Sequence, residues 1–144
     1  MYLQTIQIQN FKSYEQVTFH FNHHINIFTG ANNTGKTTVL EAIALWNECF
    51  DKLLTQIGKS DNRKQLKKGD FILGGYQPKY ISHTEIVSVR SPTYKDIFHN
   101  LKITESITLT ATLLDADSNE KITIGFHIRP ARGNQYEMVL CDIT

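Results

Sequence analysis

The sequence predicts an α/β fold with a mixed sheet, one long helix and an antiparallel β-subdomain. Three observations support this prediction. A glycine-bearing loop stands between a short apolar segment and a long amphipathic helical pattern. Two segments of alternating polarity precede that loop, and three more lie near the carboxyl end. The 144 residues are enough for one domain with a hydrophobic core.

The first part of the chain predicts three strands. Residues 3–8 alternate between apolar and polar side chains, which is typical of a half-buried strand. Residues 10–14 interrupt the pattern, and residues 17–21 resume it as a second strand. Residues 25–29 are mostly apolar and predict a buried strand that leads into the glycine-bearing loop.

The loop fits the phosphate-binding pattern G-x-x-x-x-G-K-[ST]. Its residues are Gly30, Ala31, Asn32, Asn33, Thr34, Gly35, Lys36 and Thr37. Such a loop turns backbone N–H groups inward and lies before a helix N-terminus, so that it binds anions. We expect Lys36 to reach the β- and γ-phosphates of a nucleotide, Thr37 to ligate Mg²⁺, and Thr38 to contact the α-phosphate side. The pattern therefore predicts that a nucleoside triphosphate and Mg²⁺ bind here.

Residues 38–57 predict a long helix, because apolar side chains recur at steps of three and four residues. Gly58 is a natural stop for this helix. Trp46 and Cys49 lie within it, and we interpret both as core residues.

A cluster of basic side chains follows the predicted helix, between residues 58 and 77. It consists of Lys59, Arg63, Lys64, Lys67 and Lys68. Such a run is usually a solvated connection, and that is our preferred interpretation. The alternative is a contact with the phosphate backbone of DNA.

The remaining chain predicts a short helix and then strands. Residues 94–100 favour a short helix that Ser91 or Thr93 could cap. Strict alternation predicts an antiparallel hairpin, followed by a third strand. These three strands cover residues 107–113, 121–129 and 136–143.

Composition indicates an ordinary soluble chain. The formal net charge is +1, so bulk charge does not point to nucleic acid. Cys49 and Cys141 have no metal or disulfide spacing, which fits a reducing, cytoplasmic location. We interpret His20, His23 and His24 as polar surface residues, since no acidic or cysteine ligand stands at metal-site spacing. We find no signal peptide and no membrane-spanning run.

Several segments resemble the ATPase heads of the RecF/SMC class. Residues 8–14 are similar to the "NF(R/K)S" opening of these heads, and residues 25–30 resemble their strand into the P-loop. The pair Asn32-Asn33 is similar to a variant in the OLD (overcoming lysogenization defect) branch. The resemblance is specific over residues 1–57 and concerns only the architecture beyond them.

The resemblance implies the N-terminal portion of an ABC-type, P-loop NTPase head. Lys12 and Ser13 would then lie near the phosphates or base of the nucleotide. Two heads of this class sandwich ATP as a homodimer, and their cycle is linked to DNA repair, DNA processing or anti-phage defence. We expect one head portion with three parts: residues 1–57, the basic connection 58–104, and the antiparallel β-subdomain 105–144.

Other family motifs are missing. The sequence has no signature motif and no apolar run that ends in Asp-Glu, and Gln135 is a weak candidate for the Q-loop glutamine. We therefore expect a part of a longer ATPase that hydrolyses ATP poorly by itself, although a complete small protein is an alternative. Two other functions stay open: a non-catalytic nucleotide-binding assembly module and, less favoured, a P-loop kinase.

Overall fold

The protein is described by a computed structural model for residues 1–29, 36–56 and 79–143. One α-helix and six strands form the fold of these residues, with short 3-10 turns before β4. In chain order the elements are β1 (Tyr2–Phe11), β2 (Tyr14–His20), α1 (Lys36–Gln56), β3 (Lys79–Ser82), β4 (Ile107–Leu114), β5 (Lys121–Ala131) and β6 (Gln135–Ile143).

The six strands form one sheet in the order β2-β1-β4-β5-β6-β3. Every pair of neighbours in this sheet is antiparallel. The prediction of a mixed sheet is therefore wrong for the described residues. The strands predicted as a β-subdomain continue the sheet of β1 and β2, because β4 pairs directly with β1. The predicted division at residues 57 and 104 stays a prediction.

Residues 25–29 are not a strand, contrary to the prediction. Ile25 and Ile27 are 75% and 80% exposed. Phe28 turns the other way, and its ring meets those of Phe19 and Phe21 edge-on at 6.1 Å each. Only one of the three apolar side chains is thus packed inward, and this segment pairs with no strand in the part of the chain that the structure describes.

The helix α1 packs on one face of the sheet and forms the core with it. Ala42, Leu45, Cys49 and Leu53 are at most 2% exposed and belong to this core. They lie at steps of three and four residues, which places them on one side of the helix. Trp46 joins them and donates its indole N–H to the carbonyl of Ile124 at 2.9 Å. The prediction that Trp46 and Cys49 are core residues agrees with this packing.

The predicted helix over residues 94–100 is instead a pair of 3-10 turns, Tyr94–Ile97 and His99–Leu101. Phe98, between them, is extended and only 1% exposed, since its side chain enters the core. Thr93 begins the first turn, where its N–H donates to the Asp96 carboxylate at 2.7 Å. Burial of Phe98 therefore outweighs continuation of a helix.

A ring cluster attaches this segment to the sheet. The rings of Tyr94 and Tyr136 stack with centroids 4.6 Å apart. The Tyr94 hydroxyl donates to the carbonyl of Gln135 at 2.5 Å, and the Tyr136 hydroxyl donates to the carbonyl of Tyr94 at 2.5 Å. A β-bridge between Phe11 and Phe98 attaches the same segment to β1, so residues 94–98 are fixed between β1 and the start of β6.

Among the described residues, no helix is both long and apolar enough to span a bilayer.

Candidate functional site

Only some residues of the predicted phosphate site belong to the part of the chain that the structure describes. Gly30, Ala31, Asn32, Asn33, Thr34 and Gly35 lie outside it, as do the basic residues Lys59, Arg63, Lys64, Lys67 and Lys68. Lys36, Thr37 and Thr38 are described and form the first turn of α1. The structure thus places three of the predicted site residues at a helix N-terminus.

The first turn of α1 suits an anionic ligand. The first N–H groups of a helix have no partner within it, and the helix dipole puts partial positive charge there. This turn carries no acidic side chain that would oppose an anion. Thr37 is exposed, whereas Val39, two residues later, is 1% exposed and fixes the turn against the rest of the molecule.

The turn between β1 and β2 lies beside this helix. Lys12 occupies it with a φ of 49°, a left-handed conformation that costs a non-glycine residue some strain. Two backbone contacts hold it there: its N–H donates to Ile97 O at 2.9 Å, and its carbonyl accepts from His99 Nδ1 at 2.7 Å. Ser13 is exposed in the same turn. The backbone of Lys12 is thus held in place, and the direction of its Cα–Cβ bond is defined.

The Lys12 ammonium binds Glu41, a residue of the second turn of α1 that belongs to no motif recognised in the sequence. Lys12 Nζ lies 3.0 Å from Glu41 Oε1 and 2.8 Å from Oε2. It also donates to the carbonyl of Arg90 at 2.6 Å, while the Arg90 N–H donates to Glu41 Oε2 at 2.6 Å. We call these three groups the Lys12–Glu41–Arg90 cluster. The side chains of Lys12 and Glu41 are only 17% and 10% exposed.

The cluster lies close to the predicted phosphate site. Thr37 and Glu41 are four residues apart on α1, so they lie on the same face, with their Cβ atoms about 6 Å apart. Through its contact with Glu41, Lys12 is thus held against the second turn of α1, one turn after the threonine predicted to bind Mg²⁺. The predicted contact of Lys12 and Ser13 with nucleotide stays a prediction, and Lys12 has a carboxylate partner in this structure.

Other candidate groups lie elsewhere or have structural roles. Gln135 begins β6 and uses its backbone carbonyl to bind Tyr94. The rings of His23 and His24 are 4.8 Å apart in an exposed turn. Within residues 1–29, 36–56 and 79–143, no three His, Cys, Asp or Glu side chains group as a metal site would need.

Comparison with known proteins gives one family and several relatives. Residues 5–137 match the AAA domain family. The chain is 33% identical over 79 residues to "DNA replication and repair protein RecF" of Lactobacillus johnsonii, which covers 55% of this chain and 20% of the relative. It is 49% identical over 43 residues to the protein of that name from Streptococcus thermophilus, which covers 30% of this chain and 12% of the relative. The Staphylococcus epidermidis protein of that name is 36% identical over 66 residues, 46% of this chain and 16% of the relative. The matched segments thus span a fifth or less of these relatives.

Proposed function

Because the chain belongs to the AAA domain family, we propose that it is the ATP-binding segment of a Mg²⁺-dependent ATPase of RecF/SMC/OLD type. Within this proposal the whole protein is linked to DNA repair, DNA processing or anti-phage defence. The relatives named for DNA replication and repair support the link to DNA. The two cysteines of the chain, both buried as free thiols, fit the proposed cytoplasmic location.

One observation carries the proposal: the family match spans a G-x-x-x-x-G-K-[ST] segment whose last two residues begin α1. In this arrangement Lys36 supplies a point charge for the β- and γ-phosphates, and Thr37 supplies a hydroxyl ligand for Mg²⁺. Thr38, Gly30 to Gly35, and the turn with Lys12 and Ser13 complete the proposed nucleotide contacts. Within this proposal, backbone N–H groups of the loop supply further donors to the phosphates.

The chain by itself should bind ATP and turn it over slowly. Hydrolysis of ATP requires a positioned water and a group that orients it, in addition to phosphate contacts. The sequence lacks the Asp-Glu pair and the signature motif that would supply them. We therefore propose that catalysis needs a second copy or further parts of the ATPase head. The basic residues between Lys59 and Lys68 are the candidate contact for DNA, as the alternative to a solvated connection.

Substitution of Lys36 tests the proposal. Lys36→Ala should lower the affinity of the chain for Mg²⁺-ATP at least tenfold, measured by isothermal titration, because it removes the phosphate-binding charge. Lys52→Ala is the matched control: Lys52 is on the same helix, sixteen residues and about 24 Å further along. Equal binding by the two variants, or wild-type protein that does not bind ATP, would contradict the proposal.

A second candidate function is a non-catalytic assembly module that binds ATP only as a structural ligand. The absence of an Asp-Glu pair after an apolar run favours it. A filter assay for ATP binding and a turnover assay on the same sample separate the two. Binding with no turnover, even when the remaining parts of the head are supplied, would select the assembly module. A P-loop kinase is less favoured, because Arg63, Arg90, Arg129 and Arg132 are not grouped in the sequence as a phosphate-binding lid would need.

A further inference from the structure

We propose that Glu41 is a positioning residue that competes with the phosphates of a bound nucleotide for the Lys12 ammonium. This inference rests on the proposed function, since it assumes that a nucleotide binds at the start of α1. Glu41 would then control the affinity of that site. Nucleotide binding would also change the contacts of Arg90, which is far from the loop in the sequence.

The hydrogen-bond donors of the Lys12 ammonium all have acceptors in this structure. An ammonium group has three N–H donors and no acceptor. In the Lys12–Glu41–Arg90 cluster these donors face Glu41 Oε1, Glu41 Oε2 and Arg90 O, at 3.0, 2.8 and 2.6 Å. All three donors are used, so Lys12 can bind a phosphate oxygen only if it gives up one of these contacts.

The charges of Lys12 and Glu41 act in opposite ways on a nucleotide at the start of α1. Glu41 lies one helical turn after Thr37, so a nucleotide at the N-terminus of α1 brings several negative charges to within about 10 Å of Lys12. At this distance, comparable to the Debye length in physiological salt, the attraction of the ammonium for phosphate is only partly screened. The Glu41 carboxylate also repels the phosphates. Glu41 therefore opposes binding in two ways, by its own charge and by holding Lys12.

Both backbone polar groups of Arg90 contact the cluster. Its carbonyl accepts from Lys12 and its N–H donates to Glu41, so the two peptide groups that flank its Cα both depend on the cluster. If Lys12 turns to a phosphate, the carbonyl of Arg90 loses this donor. The Glu41 carboxylate also loses the ammonium that holds it beside Arg90, so the Arg90 N–H should be held less firmly and exchange faster with solvent. Nucleotide binding would in this way reach the segment before the 3-10 turn Tyr94–Ile97.

A set of four proteins tests the competition: wild type, Lys12→Met, Glu41→Gln and the double variant. The glutamine oxygen still accepts from the Arg90 N–H, while the negative charge is lost. Glu41→Gln should tighten binding of Mg²⁺-ATP about three- to tenfold, measured by isothermal titration at low salt. The gain should be at least threefold larger with Lys12 present than in the Lys12→Met background, since only the lysine can be released. The control Glu120→Gln removes one charge from the exposed β4–β5 turn and should change affinity less than twofold.

Three results would overturn the inference. Equal gains in both backgrounds would mean that Glu41 acts only as a remote charge. Weaker binding by Glu41→Gln in a variant with the unfolding temperature of the wild type would mean that Glu41 holds Lys12 ready for the phosphate. An absence of Lys36-dependent ATP binding in the wild type would overturn the proposed function together with this inference.

A second measurement needs no substitution. Amide exchange followed by NMR on the wild-type chain should show faster exchange at Arg90 when Mg²⁺-ATP is added. The amides of β4 and of residues 121–128 of β5, which pair with each other, should be unchanged and serve as the internal control. Unchanged exchange at Arg90 under saturating nucleotide, with Lys36-dependent binding demonstrated, would contradict the inference and leave the proposed function in place.

Discussion

Trp46 is the side chain that joins α1 to the middle of the sheet. It is 6% exposed, and its indole N–H donates to the carbonyl of Ile124 at 2.9 Å. Its ring stacks on Phe50 with centroids 5.3 Å apart, and meets Phe126 edge-on at 6.2 Å. The register of β5 and β6 shifts between Gly125 and Phe126, next to the carbonyl that Trp46 satisfies. Replacement of Trp46 by Phe keeps an aromatic ring and removes this donor.

The cost of Trp46→Phe has two parts. A buried carbonyl left without a donor costs about 1–3 kcal/mol. The smaller ring leaves space that the neighbours fill only partly, which adds about 1 kcal/mol. The free energy of unfolding should therefore fall by about 2–4 kcal/mol. Phe50→Leu is the matched comparison, since it loses the stacked pair, about 0.5–1.5 kcal/mol, and keeps the hydrogen bond.

Urea unfolding followed by far-UV circular dichroism measures both variants. Fluorescence is unsuitable for this comparison because Trp46 is the single tryptophan of the chain. With similar m values, the midpoint of Trp46→Phe should lie clearly below that of Phe50→Leu. A cost for Trp46→Phe that is equal to or smaller than the cost of Phe50→Leu would refute the importance of the indole hydrogen bond.

Two further predictions concern stability. Asn10 has a φ of 56° and is 4% exposed, and its side-chain amide donates to the carbonyls of Lys102 and Glu105 at 3.3 and 2.9 Å. Asn10→Ala should thus destabilise by about 1 kcal/mol more than Asn10→Gly in urea unfolding, because alanine adds left-handed strain to the same lost contacts. Burial raises the pKa of Tyr136 above its ordinary value of 10.0, so the folded state keeps a proton that the unfolded state loses. Stability should therefore fall as the pH rises above about 10, less steeply in Tyr136→Phe, and equal slopes would contradict this cause.

The strands near the carboxyl end were predictable because the alternation that identifies each strand lies within the strand itself. The alternation over 107–113, 121–129 and 136–143 placed β4, β5 and β6 within two residues of their bounds. Alternation with period two is a direct consequence of strand geometry, and the turns between these strands carry polar residues. The pairing of β4 with β1 was not predictable in this way, since the partner lies about a hundred residues earlier in the chain.

Residues 25–29 show where local pattern fails. The side chains of Ile25 and Ile27 alternate as in a strand, but a strand also requires a neighbour for its backbone hydrogen bonds. Within the part of the chain that the structure describes, no neighbour pairs with them, and both isoleucines are exposed. The alternation of apolar and polar residues indicates how the side chains would be placed in a strand. It does not indicate whether a neighbouring strand is present to pair with that segment.

The candidate site was predicted only as far as its loop motif reaches. Lys36, Thr37 and Thr38 follow from the spacing of glycine, lysine and threonine, and the helix that the motif requires begins at Lys36. The carboxylate that holds Lys12 was missed, because Glu41 is 29 residues away from it and Arg90 is 49 residues beyond Glu41. No periodicity or motif links such positions, and only the packing of β1, α1 and the residues before β4 brings them together.

A lysine at position 12 suits both partners considered for it. Carboxylate and phosphate oxygens are both anionic acceptors, and an ammonium on a flexible stem binds either as a point charge. The ammonium here serves two carboxylate oxygens and one carbonyl from different elements, Glu41 on α1 and Arg90 before β4. The planar guanidinium of an arginine favours two parallel hydrogen bonds to one carboxylate. It is less suited than an ammonium to bind a carboxylate and, at the same time, a carbonyl that lies to one side. In the proposed competition, the Lys12 ammonium would thus exchange one anionic acceptor for another of the same kind.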